Sequence, residues 1–145
     1  MTAPKIPYWH IWTDEAGVSH QVRCEIEHFN WQGVGDAAPQ WNAKQDASEA
    51  AVVFTVQPVG WVGEWHENPK PQWIVPLSGR WWVESMDGTR VEMGPGELSL
   101  GEDQGCVKDG DGRLGHRSGT IGDQPAVLMT VRLEVPPVKR PCHIK

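Results

Sequence analysis

The stretch Gln72-Trp73-Ile74-Val75-Pro76-Leu77-Ser78-Gly79, preceded by His66-Glu67-Asn68-Pro69-Lys70-Pro71, decides the fold. Successive side chains of an extended chain point to opposite faces, so Gln72 and Ile74 share one face and Trp73 and Val75 the other. Ser78-Gly79 then supplies a turn, and Arg80 to Glu84 reads as the returning strand of a hairpin.

The same reasoning extends outward. Val22, Cys24 and Ile26 alternate with Arg23, Glu25 and Glu27, a half-buried strand on whose apolar side His28 continues. Residues 51–59 form an apolar, β-branched run ended by Pro58 and Gly60. Asp87-Gly88 and Pro95-Gly96 mark further tight turns, and Val127, Met129, Val131 and Leu133 alternate as a final core strand. Strands are expected near 20–28, 51–59, 72–78, 80–85, 89–93, 97–101 and 126–135. Residues 31–49 lose all periodicity and read as a loop with a helical turn near Asp46 to Ala50; 102–115 is a Gly- and Asp-rich loop, and a tail begins at Pro136. So many short strands without a long helix give an all-β domain, a small antiparallel barrel or jelly roll.

Composition bounds the function. A chain of 145 residues is one domain, large enough for a core of its own, and we read 1–50 as edge strands and loop, 51–135 as the core and 136–145 as a tail. A net charge of −6 opposes a nucleic-acid or anionic-membrane partner, because both require a basic face. No apolar run approaches a membrane span and the first residues show no signal-peptide core. Cys24, Cys106 and Cys142 are widely spaced without a C-x-x-C pair, which reads as a reduced, cytoplasmic protein. Nine Trp against one Tyr and two Phe suit either a packed core or a pocket wall for a mostly apolar ligand. Trp65, Trp73 and Trp82 are the candidates for such a wall, and His28 could point into the same cavity.

From about Val52 to Leu133 the chain resembles a small single-domain cupin of the RmlC-like jelly-roll type. The first cupin motif reads His-x-His, then Glu, then Gly; anchored on Gly79, it places His66, Asn68 and Gln72 where two His and the Glu belong. Met93-Gly-Pro-Gly-Glu97 resembles the turn that opens the second motif, and His116 in Gly115-His116-Arg117 stands where that motif delivers its last His. The resemblance implies a site inside a barrel and a homodimer, which the apolar N-terminus (Tyr8, Trp9, Trp12) also suggests.

Cupin sites usually gather three His and one carboxylate around Fe, Mn, Ni or Zn. Here two imidazoles and two amides would hold an ion more weakly, since an amide oxygen brings no charge. The expected ligands are His66, Gln72 and His116, with Asn68 the weaker candidate. The alternative is a metal-free site with His116 or His66 as acid and base, Asp103 orienting His116. Glu102 reads as a solvated loop acid, and Cys106 has no neighbour in sequence to activate it. The functional expectation is a small-molecule enzyme, either dioxygenase-like with one divalent metal or a metal-free isomerase or lyase. The competing class is a non-catalytic binding or sensing module with a Trp-lined pocket.

Overall fold

The structure, a computed structural model, describes residues 2–145 and is all-β, with no helix among the described residues. Eleven strands follow in order: β1 Ile6–Thr13, β2 Ser19–Ile26, β3 Asn30–Gln32, β4 Gln40–Asn42, β5 Ala50–Gln57, β6 Gln72–Ser78, β7 Arg80–Ser85, β8 Arg90–Met93, β9 Leu98–Glu102, β10 His116–Ile121 and β11 Ala126–Leu133. A six-stranded sheet runs β2-β1-β9-β6-β11-β5, a three-stranded sheet runs β10-β7-β8, and β3-β4 is a separate hairpin. All pairings are antiparallel except β1 with β9.

The two larger sheets pack face to face. Ile11, Ile74, Ala126 and Leu128 from one meet Trp81, Val83, Val91 and Met93 from the other in a single apolar cluster. The alternation in β6 works as expected: Ile74 enters this cluster, while Trp73 packs on the opposite face against Tyr8, Cys24, Ile26 and Leu100. The turn into β7 needs Gly79, whose φ is 71° and where a Cβ would stand 2.1 Å from the Pro125 carbonyl oxygen.

The seven expected strands are present, each within about two residues of its expected bounds at most ends. Four expectations need correction. In β11 the buried side is Ala126, Leu128 and Thr130, while Val127, Met129, Val131 and Leu133, expected there, are only half-buried on the other face, because both sides of the strand carry apolar residues. The N-terminal segment supplies an interior strand: β1 lies between β2 and β9, and Tyr8 is buried by the chain's own residues. Its apolar character therefore needs no second subunit to cover it. Residues 43–49 contain no helical turn; the chain stays irregular until β5 begins at Ala50. Cys24 and Cys142 are joined by a disulfide across 118 residues, leaving Cys106 free. The bond ties the C-terminal tail to β2, where Ile144 packs on the face carrying Tyr8 and Leu100.

No helix among the described residues is long and apolar enough to cross a membrane.

Candidate functional site

Five of the sequence candidates, His66, Asn68, Gln72, Asp103 and His116, are linked at one end of the space between the two sheets. Along β9, Ser99 and Gly101 stand opposite Ile74 and Gln72 of β6, and Asp103 follows just past the strand end, fully buried. Its Oδ2 accepts a hydrogen bond from His116 Nδ1 at 2.6 Å, and its Oδ1 accepts from the Asn68 backbone N–H at 2.9 Å and side-chain amide at 2.8 Å. Burial pushes the Asp103 carboxyl up, but the His116 charge and these three donors outweigh it and hold the group below the ordinary carboxylate value. An ionised Asp103 places a proton on Nδ1 of His116, so in the neutral imidazole Nε2 carries the lone pair, and it has no hydrogen-bond partner among the described residues.

The network continues from Asn68. Gln72 Nε2 donates to Asn68 Oδ1 at 2.5 Å, and Gln72 Oε1 accepts from Arg132 Nε at 3.3 Å. His116, Asp103, Asn68, Gln72 and Arg132 thus form one hydrogen-bonded chain, most of it buried. Gly101 makes room for it, because a Cβ there would lie 2.5 Å from the Asn68 amide nitrogen.

His66 reaches the same place through its backbone. Reciprocal hydrogen bonds of 2.8 and 2.9 Å pair His66 with His116, and the two rings lie 4.6 Å apart. This approach depends on Gly115, with φ at 69° and the His66 carbonyl oxygen 2.3 Å from where a Cβ would sit. His66 Nδ1 donates to the Glu64 carbonyl at 2.8 Å, so its Nε2 is also free of hydrogen bonds among the described residues. The site therefore presents two adjacent imidazoles, one buried and carboxylate-backed, one exposed.

Gln72 does not serve as a third ligand in this arrangement. Its oxygen faces a guanidinium and its nitrogen is spent on Asn68, while Asn68 is spent on Asp103 and Gln72. The donor set of His66, Gln72 and His116 therefore does not fit a divalent ion.

The remaining candidates disperse. Trp82 lies under Arg90, whose guanidinium carbon is 4.2 Å from its ring centroid, and Arg117 sits 5.5 Å from Trp65 and 5.7 Å from Trp82. These rings form a cation–π stack on the outer face of the small sheet. His28 is exposed beyond the end of β2. Trp73 lines a cavity of about 530 Å³ on the far face of the six-stranded sheet, with Leu100, Glu102, Leu133 and the tail residues Val138 and His143. Cys106 donates to the Asp103 carbonyl, and burial pushes its thiol up, away from nucleophilic character.

A second polar centre adjoins that cavity. Glu102, expected as a solvated loop acid, is 2% exposed, because in β9 it shares the face of Leu98 and Leu100 rather than projecting from a loop. Its Oε1 meets His10 Nε2 at 2.8 Å and His143 Nε2, and its Oε2 accepts the Val138 backbone N–H at 2.8 Å. Burial raises the Glu102 carboxyl, but the two imidazoles and the Val138 amide overcome this and keep it below its ordinary value. The ligand atoms of His10, Glu102 and His143 lie within 4.8 Å of one another, a group that could hold a metal ion. Neither histidine stands near a motif, and only the fold brings residues 10, 102 and 143 together.

No protein-family model matches the chain, and no curated protein matches it in sequence.

Proposed function

We propose that this chain is a cupin-like enzyme acting on a small oxygenated molecule, with His116 as its acid–base group. The observation that carries the reading is the buried 2.6 Å contact between Asp103 and His116 Nδ1, which leaves Nε2 free beside the second imidazole of His66. A carboxylate behind an imidazole fixes its tautomer and stabilises the imidazolium formed when Nε2 takes a proton. In an isomerisation, epimerisation, dehydration or lyase step, His116 Nε2 removes a proton from carbon beside a carbonyl. The same imidazolium, or His66 from its exposed side, returns a proton to the rearranged product or the leaving oxygen. The cupin-like order of hairpin, Asp-Gly turn and Pro-Gly turn supports this reading, as does the pairing of His66 with His116. A homodimer belongs to the same proposal, whereas a cytoplasmic setting, expected from unpaired cysteines, loses that ground to the Cys24–Cys142 disulfide.

The test is proton exchange. Untagged protein is incubated in D₂O with a panel of hydroxy- and keto-acids and sugars, and deuterium uptake beside the carbonyl is followed by NMR. Uptake lost in His116→Ala supports the reading. No exchange with any member, together with quenching of Trp fluorescence, favours a binding or sensing module instead, a second reading supported by the cavity beside Trp73.

For a metal-dependent reaction, with Fe, Mn, Ni or Zn, the His10–Glu102–His143 group on the other face of the sheet offers two imidazoles and a carboxylate to an ion.

A further inference from the structure

The His10–Glu102–His143 group and the Cys24–Cys142 disulfide are neighbours, and the link between them is a tautomer. The Cys142 backbone N–H donates to His10 Nδ1 at 3.1 Å, so Nδ1 carries a lone pair and the ring proton resides on Nε2. That proton is donated to Glu102 Oε1. A metal ion bound at Nε2 needs the opposite tautomer, with the proton on Nδ1 and an oxygen acceptor to receive it. In the disulfide-bonded form Nδ1–H would point into the Cys142 N–H.

Cys142 is held in that position. It is the non-glycine residue with positive φ among those described, at 54°, a region L-residues avoid, and its sulfur is bonded to Cys24 in β2. Cys142 is exposed while Cys24 is buried, so a thiol from solvent reaches the Cys142 sulfur first. The rest of the tail has anchors of its own: the Val138 N–H on Glu102, the Ile144 carbonyl accepting from Tyr8 Oη at 3.2 Å, and Ile144 packed against the sheet. Breaking the disulfide therefore frees Cys142 without carrying His143 away.

We propose that His10, Glu102 and His143 form a redox-gated site for a divalent ion of the zinc class, closed while Cys24 and Cys142 are bonded and open once they are reduced. Two imidazoles and a carboxylate, with a fourth position toward the cavity, suit zinc. Opening follows ordinary exchange. The thiolate of a low-molecular-weight thiol attacks the Cys142 sulfur, the S–S bond breaks and Cys24 leaves as a thiolate that takes up a proton. A second thiol then attacks the mixed disulfide, which releases reduced Cys142 and the oxidised small thiol. Cys142 relaxes from its left-handed conformation, its N–H leaves His10, and the ring adopts the tautomer that offers Nε2 to the ion. This inference stands apart from the acid–base reading, whose residues it does not use.

The test is calorimetric titration with Zn²⁺ alone, at neutral pH, of untagged protein in three forms: disulfide-intact wild type, Cys24→Ser/Cys142→Ser, and that double variant with His143→Ala. The double variant has no thiol at either position, so binding reports on the histidines and Glu102. We expect it to take about one ion per chain, at least about 10-fold more tightly than the intact wild type, the scale on which an outer-shell partner alters a metal site. His143→Ala should abolish that binding. If near-UV circular dichroism shows that the double variant has lost its packing, wild type reduced with a phosphine and desalted without oxygen replaces it. Equal affinity of oxidised and reduced forms overturns the gate. Absence of binding by the reduced form overturns the site, and binding that survives His143→Ala overturns the ligand set.

Discussion

His116 Nδ1 and Asp103 Oδ2 stand 2.6 Å apart across the junction of the two sheets, and Asp103 is fully buried. A carboxylate sealed from water with three donors aimed at it is preorganised to stay ionised and to hold one imidazole tautomer. Asp103→Asn retains the size but can present an amide donor to Nδ1, which reverses the tautomer and takes the lone pair from Nε2. We expect proton exchange at the substrate to fall by about 100-fold or more, the usual worth of a positioned acid–base group. Thermal or denaturant unfolding should show a loss of about 1–3 kcal/mol from the disrupted Asn68 contacts. Retention of full exchange activity would remove His116 from the mechanism.

Acid should weaken the fold through two named groups. Asp103 and Glu102 both titrate below their ordinary values of 3.8 and 4.5 in the native state. The unfolded chain therefore binds protons that the native one refuses, and the stability these carboxylates contribute is present above the ordinary values and lost as pH falls through and below them. The midpoint of thermal unfolding should drop across that window, and Asp103→Asn and Glu102→Gln should each flatten part of the drop. Unchanged acid sensitivity in both variants would contradict the ionised networks described above.

We expect the homodimer to form at the edge of the six-stranded sheet rather than at the N-terminal strand. β5 is the end strand, has no charged residue, and leaves Val52, Phe54 and Val56 between 57% and 68% exposed. Natural edge strands are usually blunted by charge, proline or a cover. Two copies meeting at β5 about a two-fold axis would pair the free edges and bury these side chains. Light scattering at micromolar concentration should give a dimer, and Phe54→Lys a monomer whose stability changes by no more than about 0.5 kcal/mol. A monomeric wild type would refute it.

Much of this fold is legible because half-buried strands write a two-residue period. β2 shows it most plainly, with Cys24 and Ile26 buried between exposed Arg23 and Glu25, whereas β6 and β11 are apolar on both sides, so their strands are legible but the core side of β11 is not. β1 escapes because both of its faces are covered: Ile11 enters the inter-sheet core and Tyr8 the opposite cluster, so Tyr8-Trp9-His10-Ile11-Trp12 shows no polar side. β10 escapes for the opposite reason, as His116-Arg117-Ser118-Gly119 has no apolar side to read. At the site, motif spacing groups His66, Gln72 and His116 as ligands of one ion, whereas in the structure Gln72 is joined to His116 through Asn68 and Asp103. Arg132, His10 and His143 are not visible from spacing, since each joins its network through contacts more than fifty residues away in sequence or across the tail. The disulfide is invisible for the same reason: two cysteines 118 residues apart give no local signal.

Gln72→Glu separates the network from a metal site most sharply. A carboxylate at this position would strengthen an ion site built on His66 and His116, because it restores charge to a neutral ligand. In the network it does the reverse. Asn68 Oδ1 loses the donor it receives from Gln72 Nε2, and Asn68 cannot reorient, because its own amide is committed to Asp103. The new carboxylate gains the Arg132 guanidinium but faces the Asn68 oxygen and adds a negative charge on the Asp103 side of the chain. We expect the variant to lose about 1–3 kcal/mol of stability, the cost of leaving a buried acceptor unpaired, with no gain in Zn²⁺ or Fe²⁺ bound per chain. A variant that is more stable in the presence of either ion, and loses that stability to a chelator, would instead place an ion between His66, Glu at position 72 and His116.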